Sequence, residues 1–556
     1  MASVDAQESY QRISGEGSSW AANAIDAMRV NVRQFGITVD FNPSGSSAGR
    51  KNYLNGTVDF AASDIPFQFA PEDGSAPENP APNSYVYIPV TAGGTAFMYN
   101  LKINGQQVTN LRLSGENISK IFTGVIKLWN DPAIAADNPG IALPARRIIP
   151  VVRSDGSGTT AQFTGWMAKE HPQLWGELCQ REGIRFNGSC PFTSNYPSVG
   201  GFVSQSGSLG VAGYTASSTA EGAITYVEYS YALRAQFPVA KILNSAGYYV
   251  EPTDQAVAVG LLAARINNDR ADRDRYLTQD LSGVYRNGDA RSYPLSSYSY
   301  MIIPTAIEGS FTENKGLTLA DFVSYFLCEG QQQAEVLGYS PLPVNLAAAG
   351  LEQAQKIPGG NPRNTTTATC NNPTFSADGT NKLANEAPQP QACDKKGADQ
   401  CLTGTGGASD VTTAASSGGS AAGSSAGSGG GSQSGSGPSG DSDTAAPSAT
   451  TGEATGLTGG GTPVVAGSPI DLPAQSLPAS TFALMVLAAV LVLFTVLLPP
   501  IIARQRVAAA GAPAAPKRAE RLKKLSASNS RQGIPKVHLK SPFRKGTRVT
   551  PPVVGS

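Results

Sequence analysis

The sequence predicts an α/β fold with mainly parallel sheets, and three observations carry that prediction. Strand-like and helix-like patterns alternate through the first 350 of 556 residues. Gly/Ser-rich turns recur where a strand runs into a helix. Aromatic, aliphatic and charged residues are mixed throughout this stretch, and its length favours two lobes over one.

The elements follow in order. Residues 22–35 carry Ile25, Met28, Val30 and Val32 with helical spacing. Ile37-Thr38-Val39-Asp40-Phe41 alternates as a strand does, residues 58–62 and 85–90 read as short buried strands, and 118–129 read as a helix. Ile148-Ile149-Pro150-Val151-Val152 is an apolar run that leads into a polar turn and a helix-like segment over 161–167, and residues 224–229 are again strand-like.

Three turns hold the candidate chemistry. The first is Ser14-Gly15-Glu16-Gly17-Ser18-Ser19-Trp20, where Ser18 or Ser19 is placed to cap the next helix. The second is Ser44-Gly45-Ser46-Ser47-Ala48-Gly49. The third is Arg153-Ser154-Asp155-Gly156-Ser157-Gly158-Thr159-Thr160, with one arginine, one aspartate and four hydroxyls in eight residues. Backbone N–H groups at such helix starts favour an anion. Arg153 adds a planar charge that Asp155 can hold in place. Asp64 stands at the C-terminal end of the 58–62 strand, the edge at which open α/β sheets bind ligands. Neither a G-x-x-x-x-G-K-[ST] loop nor a G-x-G-x-x-G fingerprint is present, so a small oxyanion suits these turns better than a nucleotide.

The only histidines are His171, read as a surface residue at a helix end, and His538; a zinc site or a Ser-His-Asp triad is poorly supported. No cofactor, nucleic-acid or enzymatic role is expected. The six cysteines suit an exported, disulfide-bonded chain. Cys179–Cys190 is the first expected pair, Cys393–Cys401 a second candidate, and Cys328–Cys370 is then left.

The C-terminal third differs in kind. Residues 351–402 form a Cys-containing extension, and 403–480, almost entirely Gly, Ser, Ala, Thr and Pro without Lys or Arg, read as a flexible linker. Residues 482–503 are uncharged and long enough to span a bilayer, within a transmembrane helix expected over 481–503; Pro499 and Pro500 are expected to fray its end. Residues 504–556 bear thirteen Lys and Arg against one acid, Glu520, which marks a cytoplasmic tail and puts the globular part outside the cell. The first residues lack the apolar core of an export signal, so an upstream start or a removed signal is expected.

The ordered motifs carry a resemblance. Gly15-Glu16-Gly17-Ser18-Ser19-Trp20, Gly45-Ser46-Ser47-Ala48-Gly49, Val58-Asp59-Phe60-Ala61-Ala62-Ser63-Asp64, Ile121-Phe122-Thr123-Gly124-Val125-Ile126-Lys127-Leu128-Trp129-Asn130, the Arg153 turn, Tyr226-Val227-Glu228-Tyr229-Ser230-Tyr231-Ala232 and Leu337-Gly338-Tyr339-Ser340-Pro341-Leu342-Pro343 resemble the PstS family of phosphate-binding proteins of ABC importers over residues 12 to about 350. The resemblance implies a type II periplasmic-binding-protein fold over 1–350, with lobe I at about 1–90 and 240–350 and lobe II at about 91–239. It implies phosphate contacts at Ser19, Trp20 (through its backbone), Ser46, Asp64, Arg153, Asp155, Ser157, Gly158 and Thr159. Glu16 departs from the small residue common there and places a charge near the expected anion site. The implied partners are inorganic phosphate, a permease and an ATPase, with the receptor a membrane-tethered monomer. The alternative is a surface phosphate sensor or scaffold that signals through its basic tail. A phosphatase is disfavoured because no nucleophile–base pair stands out.

Overall fold

The computed structural model describes residues 10–184, 190–360, 365, 369–376 and 380–413. The chain opens with β1 (Ile13–Gly17), α1 (Ala22–Asn31), β2 (Val39–Asn42), α2 (Ser46–Leu54), β3 (Phe60–Ser63) and β4 (Tyr85–Tyr99). It continues with β5 (Arg112–Leu113), α3 (Gly115–Phe122), β6 (Ile149–Arg153), α4 (Gly158–Glu170), β7 (Val203–Gln205), α5 (Gly207–Ala216), β8 (Ala223–Glu228), α6 (Tyr229–Arg234), β9 (Lys241–Leu243) and β10 (Tyr249–Val250). It returns through α7 (Asp254–Leu261), β11 (Ser296–Pro304), α8 (Glu313–Leu327), α9 (Val344–Ala354) and α10 (Lys382–Glu386).

One eight-stranded sheet runs through the molecule in the order β2-β1-β3-β11-β4-β8-β6-β7. Its outer pairs are parallel, β1 with β2 and β3, and β6 with β7 and β8. The centre is antiparallel: β11 against β3 and β4, and β4 against β8. The sheet is therefore mixed where the sequence pattern suggested a mainly parallel one. Alternation locates strands but does not give their direction.

β4 joins two lobes. Its residues from Tyr85 to Gly94 pair with β11 in the first lobe, and those from Thr95 to Tyr99 pair with β8 in the second. Glycine at the junction answers to close packing: a Cβ on Gly93 would stand 2.8 Å from the Trp20 ring, and one on Gly94 2.5 Å from Pro252. The first lobe closes around Ile13, Ile25, Phe60, Met301, Phe322 and Phe326. The second closes around Phe97, Ile121, Phe122, Phe163, Trp175 and Ile224. The second lobe reaches past the expected limit of 239. β9 pairs with β5 and β10, and Ile242 and Val250 belong to its core.

Local chemistry explains most helix boundaries. The α8 start is capped by Thr312, whose hydroxyl accepts from the Lys315 N–H at 3.3 Å, with Glu313 in its first turn. α3 stops at Phe122 rather than continuing to 129, because Gly124 turns the chain at φ +72°. His171 ends α4 and packs edge-on to Trp166, half-buried, and that burial lowers its pKa.

The cysteines are bonded as Cys179–Cys190, Cys328–Cys370 and Cys393–Cys401. The extension after α9 crosses both lobes. Asn372 and Thr374 donate to the Leu342 carbonyl at 3.1 and 2.8 Å in the first lobe, and α10 packs against α7. Further on, Lys241 meets Asp394 at 2.8 Å, and buried Arg112 donates to the Ala398 carbonyl at 3.0 Å in the second lobe.

The expected linker starts too early at 403. Residues 403–413 pack on the second lobe: Thr405 donates to the Thr109 carbonyl at 2.9 Å, and Thr109 N–H to the Thr413 hydroxyl at 2.9 Å. Glycine here permits contact rather than flexibility. A Cβ on Gly404 would stand 2.1 Å from the Ala408 carbonyl oxygen, and one on Gly407 2.5 Å from the Gln236 backbone. The remaining linker, the apolar segment 482–503 and the basic tail lie outside the described residues, among which no helix is long and apolar enough to cross a membrane.

Candidate anion-binding site

The three turns converge between the lobes. The first-lobe half is built on the ends of β1 and β3. Ser18 N–H donates to the Ala62 carbonyl at 2.8 Å, which holds the first turn beside the end of β3. Ser18 does not cap α1 directly, since that helix starts at Ala22, but its hydroxyl accepts from Ala21 N–H at 3.1 Å. The same hydroxyl donates to Asp64 Oδ1 at 2.6 Å. Ser299 of β11 donates to that oxygen at 2.9 Å, and Ser46, the first residue of α2, donates to Asp64 Oδ2 at 3.3 Å. Asp64 is 2% exposed. Burial raises its pKa, while the Ser18, Ser299 and Ser46 hydroxyls and the Arg153 charge act in the opposite sense.

The second-lobe half is built on β6 and the starts of α4 and α5. Arg153 ends β6 and is also buried. Its guanidinium forms a two-point pair with Asp155, with Nε to Oδ1 at 2.8 Å and Nη2 to Oδ2. Gly207 N–H, at the start of α5, donates to the same carboxylate at 2.8 Å. Burial alone would push the Asp155 pKa up, but Arg153 and these N–H groups hold it below the usual carboxylate range. Ser157 caps α4 by accepting from Thr160 N–H at 3.1 Å. Thr159 Oγ1 is buried with no hydrogen-bond partner among the described residues.

Contacts between the halves close the cleft. Ser208 lies 2.9 Å from the Ser19 hydroxyl and accepts from Arg153 Nη1 at 3.4 Å. Ser47 N–H donates to the Gly156 carbonyl at 3.1 Å, and Gln162 donates to the Asp64 carbonyl at 2.7 Å. Glycine lets the halves approach this closely. A Cβ on Gly158 would lie 2.5 Å from Asp64 Oδ2, and one on Gly45, at φ +101°, 2.5 Å from Asp155 Oδ2. At the rim, Thr193 donates to Asp73 Oδ2 at 2.7 Å, joining the 66–80 loop of the first lobe to the second.

The expected residues thus meet in one buried zone. Asp64, Ser46 and Gly158 are in contact, Asp155 holds Arg153, and Ser19 reaches Arg153 through Ser208. Thr159 and Ser157 open α4 beside them. Trp20 contributes its carbonyl to the Tyr339 hydroxyl at 2.6 Å and packs its ring edge-on to Tyr339. Glu16 turns away from the zone, accepting from Asn42 at 3.0 Å and Asn52 at 2.6 Å.

Sequence reasoning did not select Ser208, Ser299 or Gly207, and took Ser18 only as a cap. Arg50 was passed over as well; it is buried, paired with Glu78 at 2.8 Å, and donates to Ser63, the residue before Asp64, at 2.9 Å. Among the described residues, no group of His, Cys, Asp and Glu could hold a metal ion.

Comparison with known proteins agrees with this architecture. Residues 3–329 match the family profile described as the PBP superfamily domain. The phosphate-binding protein PstS 2 of Mycobacterium tuberculosis is 32% identical over 341 residues, 61% of this chain and 85% of that one. PstS of Pasteurella multocida is 32% identical over 338 residues, 60% of this chain and 87% of that one. The solved phosphate-binding protein from Stenotrophomonas maltophilia is 18% identical, with 65% of this chain and 98% of that one covered and a TM-score of 0.44. The profile spans more than half of the chain and the relatives are covered over most of their length, so this protein belongs to the PBP superfamily and, within it, to the PstS phosphate-binding proteins.

Proposed function

We propose that the chain captures inorganic phosphate outside the cell and delivers it to an ABC-type importer. The observation that carries this reading is the buried Asp64 carboxylate, ringed by hydroxyls and set under the charge of Arg153. Phosphate near neutral pH retains a proton and sulfate does not. A carboxylate accepts a hydrogen bond from the first anion and repels the second, so selectivity arises from a group that is unfavourable toward the wrong ligand.

The nine residues Ser19, Trp20, Ser46, Asp64, Arg153, Asp155, Ser157, Gly158 and Thr159 are the proposed phosphate contacts. Hydroxyls of Ser19, Ser46, Ser157 and Thr159 and the N–H groups at the start of α4 satisfy the oxygens. The unpartnered Thr159 hydroxyl fits such a role, since a buried polar group without a partner is unfavourable until a ligand meets it. Arg153, oriented by Asp155, supplies the charge. The site binds and does not turn its ligand over. The two lobes close around the anion about the Gly93–Gly94 stretch of β4.

Delivery follows from the C-terminal third. Residues 482–503 anchor the chain, 414–480 give reach, and the basic tail lies in the cytoplasm against the anionic inner leaflet. The receptor acts as a monomer beside its permease and ATPase.

Calorimetric titration of the full chain in detergent with phosphate and sulfate tests the reading. Phosphate binding with rejection of sulfate is expected. Equal affinity for both, or none for phosphate, defeats it.

A further inference from the structure

A second concave site lies in the first lobe, away from the cleft. β11 runs from Ser299, which donates to Asp64, to Pro304, which pairs with Tyr85 at the opposite edge of the sheet. Five residues of strand separate the two points by about 17 Å. At that far edge is a cavity of about 410 Å³, walled by the 270–276 loop, the start of β4 and the end of α9.

Three cations line it, Arg270, Arg273 and Lys356, against one carboxylate, Asp274. Arg270 is paired with Glu352 and lies over the Tyr276 ring at 5.7 Å. Arg273 donates only to the neutral Asn83 Oδ1, at 2.7 Å, and Lys356 to Gln353 Oε1, at 2.7 Å. Among the described residues neither forms an ion pair. Gln353 adds an unpaired donor to this wall. It lines the cavity and is 1% exposed; its oxygen is engaged by Lys356, and its Nε2 has no hydrogen-bond partner among the described residues. A buried amide left unpaired is unfavourable unless a ligand meets it. The cations also disfavour one another: burial lowers the Lys356 pKa, and Arg273 and Arg270 add to that against Glu352.

The chemistry selects the ligand. The cavity is several times larger than one tetrahedral oxyanion, and its charges come from two separate segments. Guanidinium forks match phosphoryl oxygens in pairs. Its aromatic wall, Tyr85, Tyr87 and Tyr276, is neutral, so the three cations set its preference for an anion. We infer that this cavity binds a condensed phosphate, a short chain of linked phosphoryl groups free in solution, independently of the orthophosphate cleft.

The probe is sodium tripolyphosphate, titrated calorimetrically into the full chain saturated with orthophosphate. One site is expected. Arg273→Ala and Lys356→Ala should each weaken it about tenfold or more and leave orthophosphate affinity unchanged. Gln353→Met keeps the side-chain volume and removes the unpaired donor. It should weaken tripolyphosphate binding without lowering the melting temperature, whereas a purely structural glutamine would do the reverse. Arg153→Ala should leave the tripolyphosphate isotherm intact, so failure of the cleft reading and failure of this one are separable. Absence of binding, equal binding by wild type and the three far-site variants, or binding only to phosphatidylglycerol vesicles overturns the inference.

Discussion

The two halves of the cleft each present a carboxylate, buried Asp64 and partly buried Asp155, and the two are opposites. Asp64, in the first lobe, accepts hydroxyls, has no ion pair among the described residues, and has a pKa that burial raises. Asp155, in the second, is locked to Arg153 and a helix-start N–H, and its pKa is lowered. Hydroxyls are weak partners for a charge and leave it responsive to what arrives. A guanidinium fork fixes both partners in place. Under the proposed function, one carboxylate reads the ligand's proton, and the other holds the arginine that supplies charge.

The sharpest way to break this division is to remove the arginine. Arg153→Ala leaves the partly buried Asp155 without its guanidinium, a loss below the about 3–5 kcal/mol of a fully buried pair. Phosphate affinity should fall at least about a hundredfold, while Arg153→Lys keeps a weaker site. Near-native affinity in the alanine variant, by calorimetry, would separate Arg153 from the anion.

Asp64→Asn sharpens the comparison from the other side. Its phosphate affinity should fall less than its preference for phosphate over sulfate, by competition titration. In the wild type that preference should also decline as pH falls, because a protonated Asp64 donates to either anion. A preference that is flat with pH and insensitive to Asp64→Asn would remove the aspartate from selectivity.

The thermal stability of the two variants should differ in sign. A raised carboxylate contributes most below the ordinary carboxylate range near about 4, and the contribution is lost as pH rises through the raised value. Asp64→Asn should therefore gain melting temperature over wild type at neutral pH without ligand, and the gain should shrink on acidification. A lowered carboxylate stabilises above that range, and loses the effect as pH falls toward the lowered value. Asp155→Asn should melt lower than wild type at neutral pH, with the deficit shrinking on acidification. Differential scanning at neutral and acid pH reads both, and the same sign for both variants would erase the contrast.

The smallest effect belongs to the rim, where Asp73 and Thr193 bridge the lobes without touching either carboxylate. Asp73→Ala removes one partly exposed hydrogen bond, worth about 0.5–1.5 kcal/mol. Stopped-flow release of phosphate should quicken by a few-fold, with association unchanged. Equal change in both rates would mean that the bond does not act on the closed state.

How much of this was legible depended on how local the signal was. The Arg153 turn could be read because strand end, Gly/Ser turn and helix start are consecutive in the chain. Asp64 could be read from its place after a buried strand. Ser208 and Ser299 could not, since a lone serine has no local pattern and these two reach their partners across 189 and 235 residues. Strand direction was hidden for the same reason: nothing within β11 states that it runs against β3 and β4. The segment 403–413 misled through composition. Glycine density looks alike where a chain is free and where it must pass within contact of another backbone, and only the neighbours, Ala408 and Gln236 among them, distinguish the two.

That packed segment has a mechanical consequence. The last described residue, Thr413, is fastened to Thr109 and, through its own N–H, to the Leu402 carbonyl at 3.2 Å. The folded body therefore releases its chain from the second lobe. Any load borne by the residues that follow enters the folded body through that lobe.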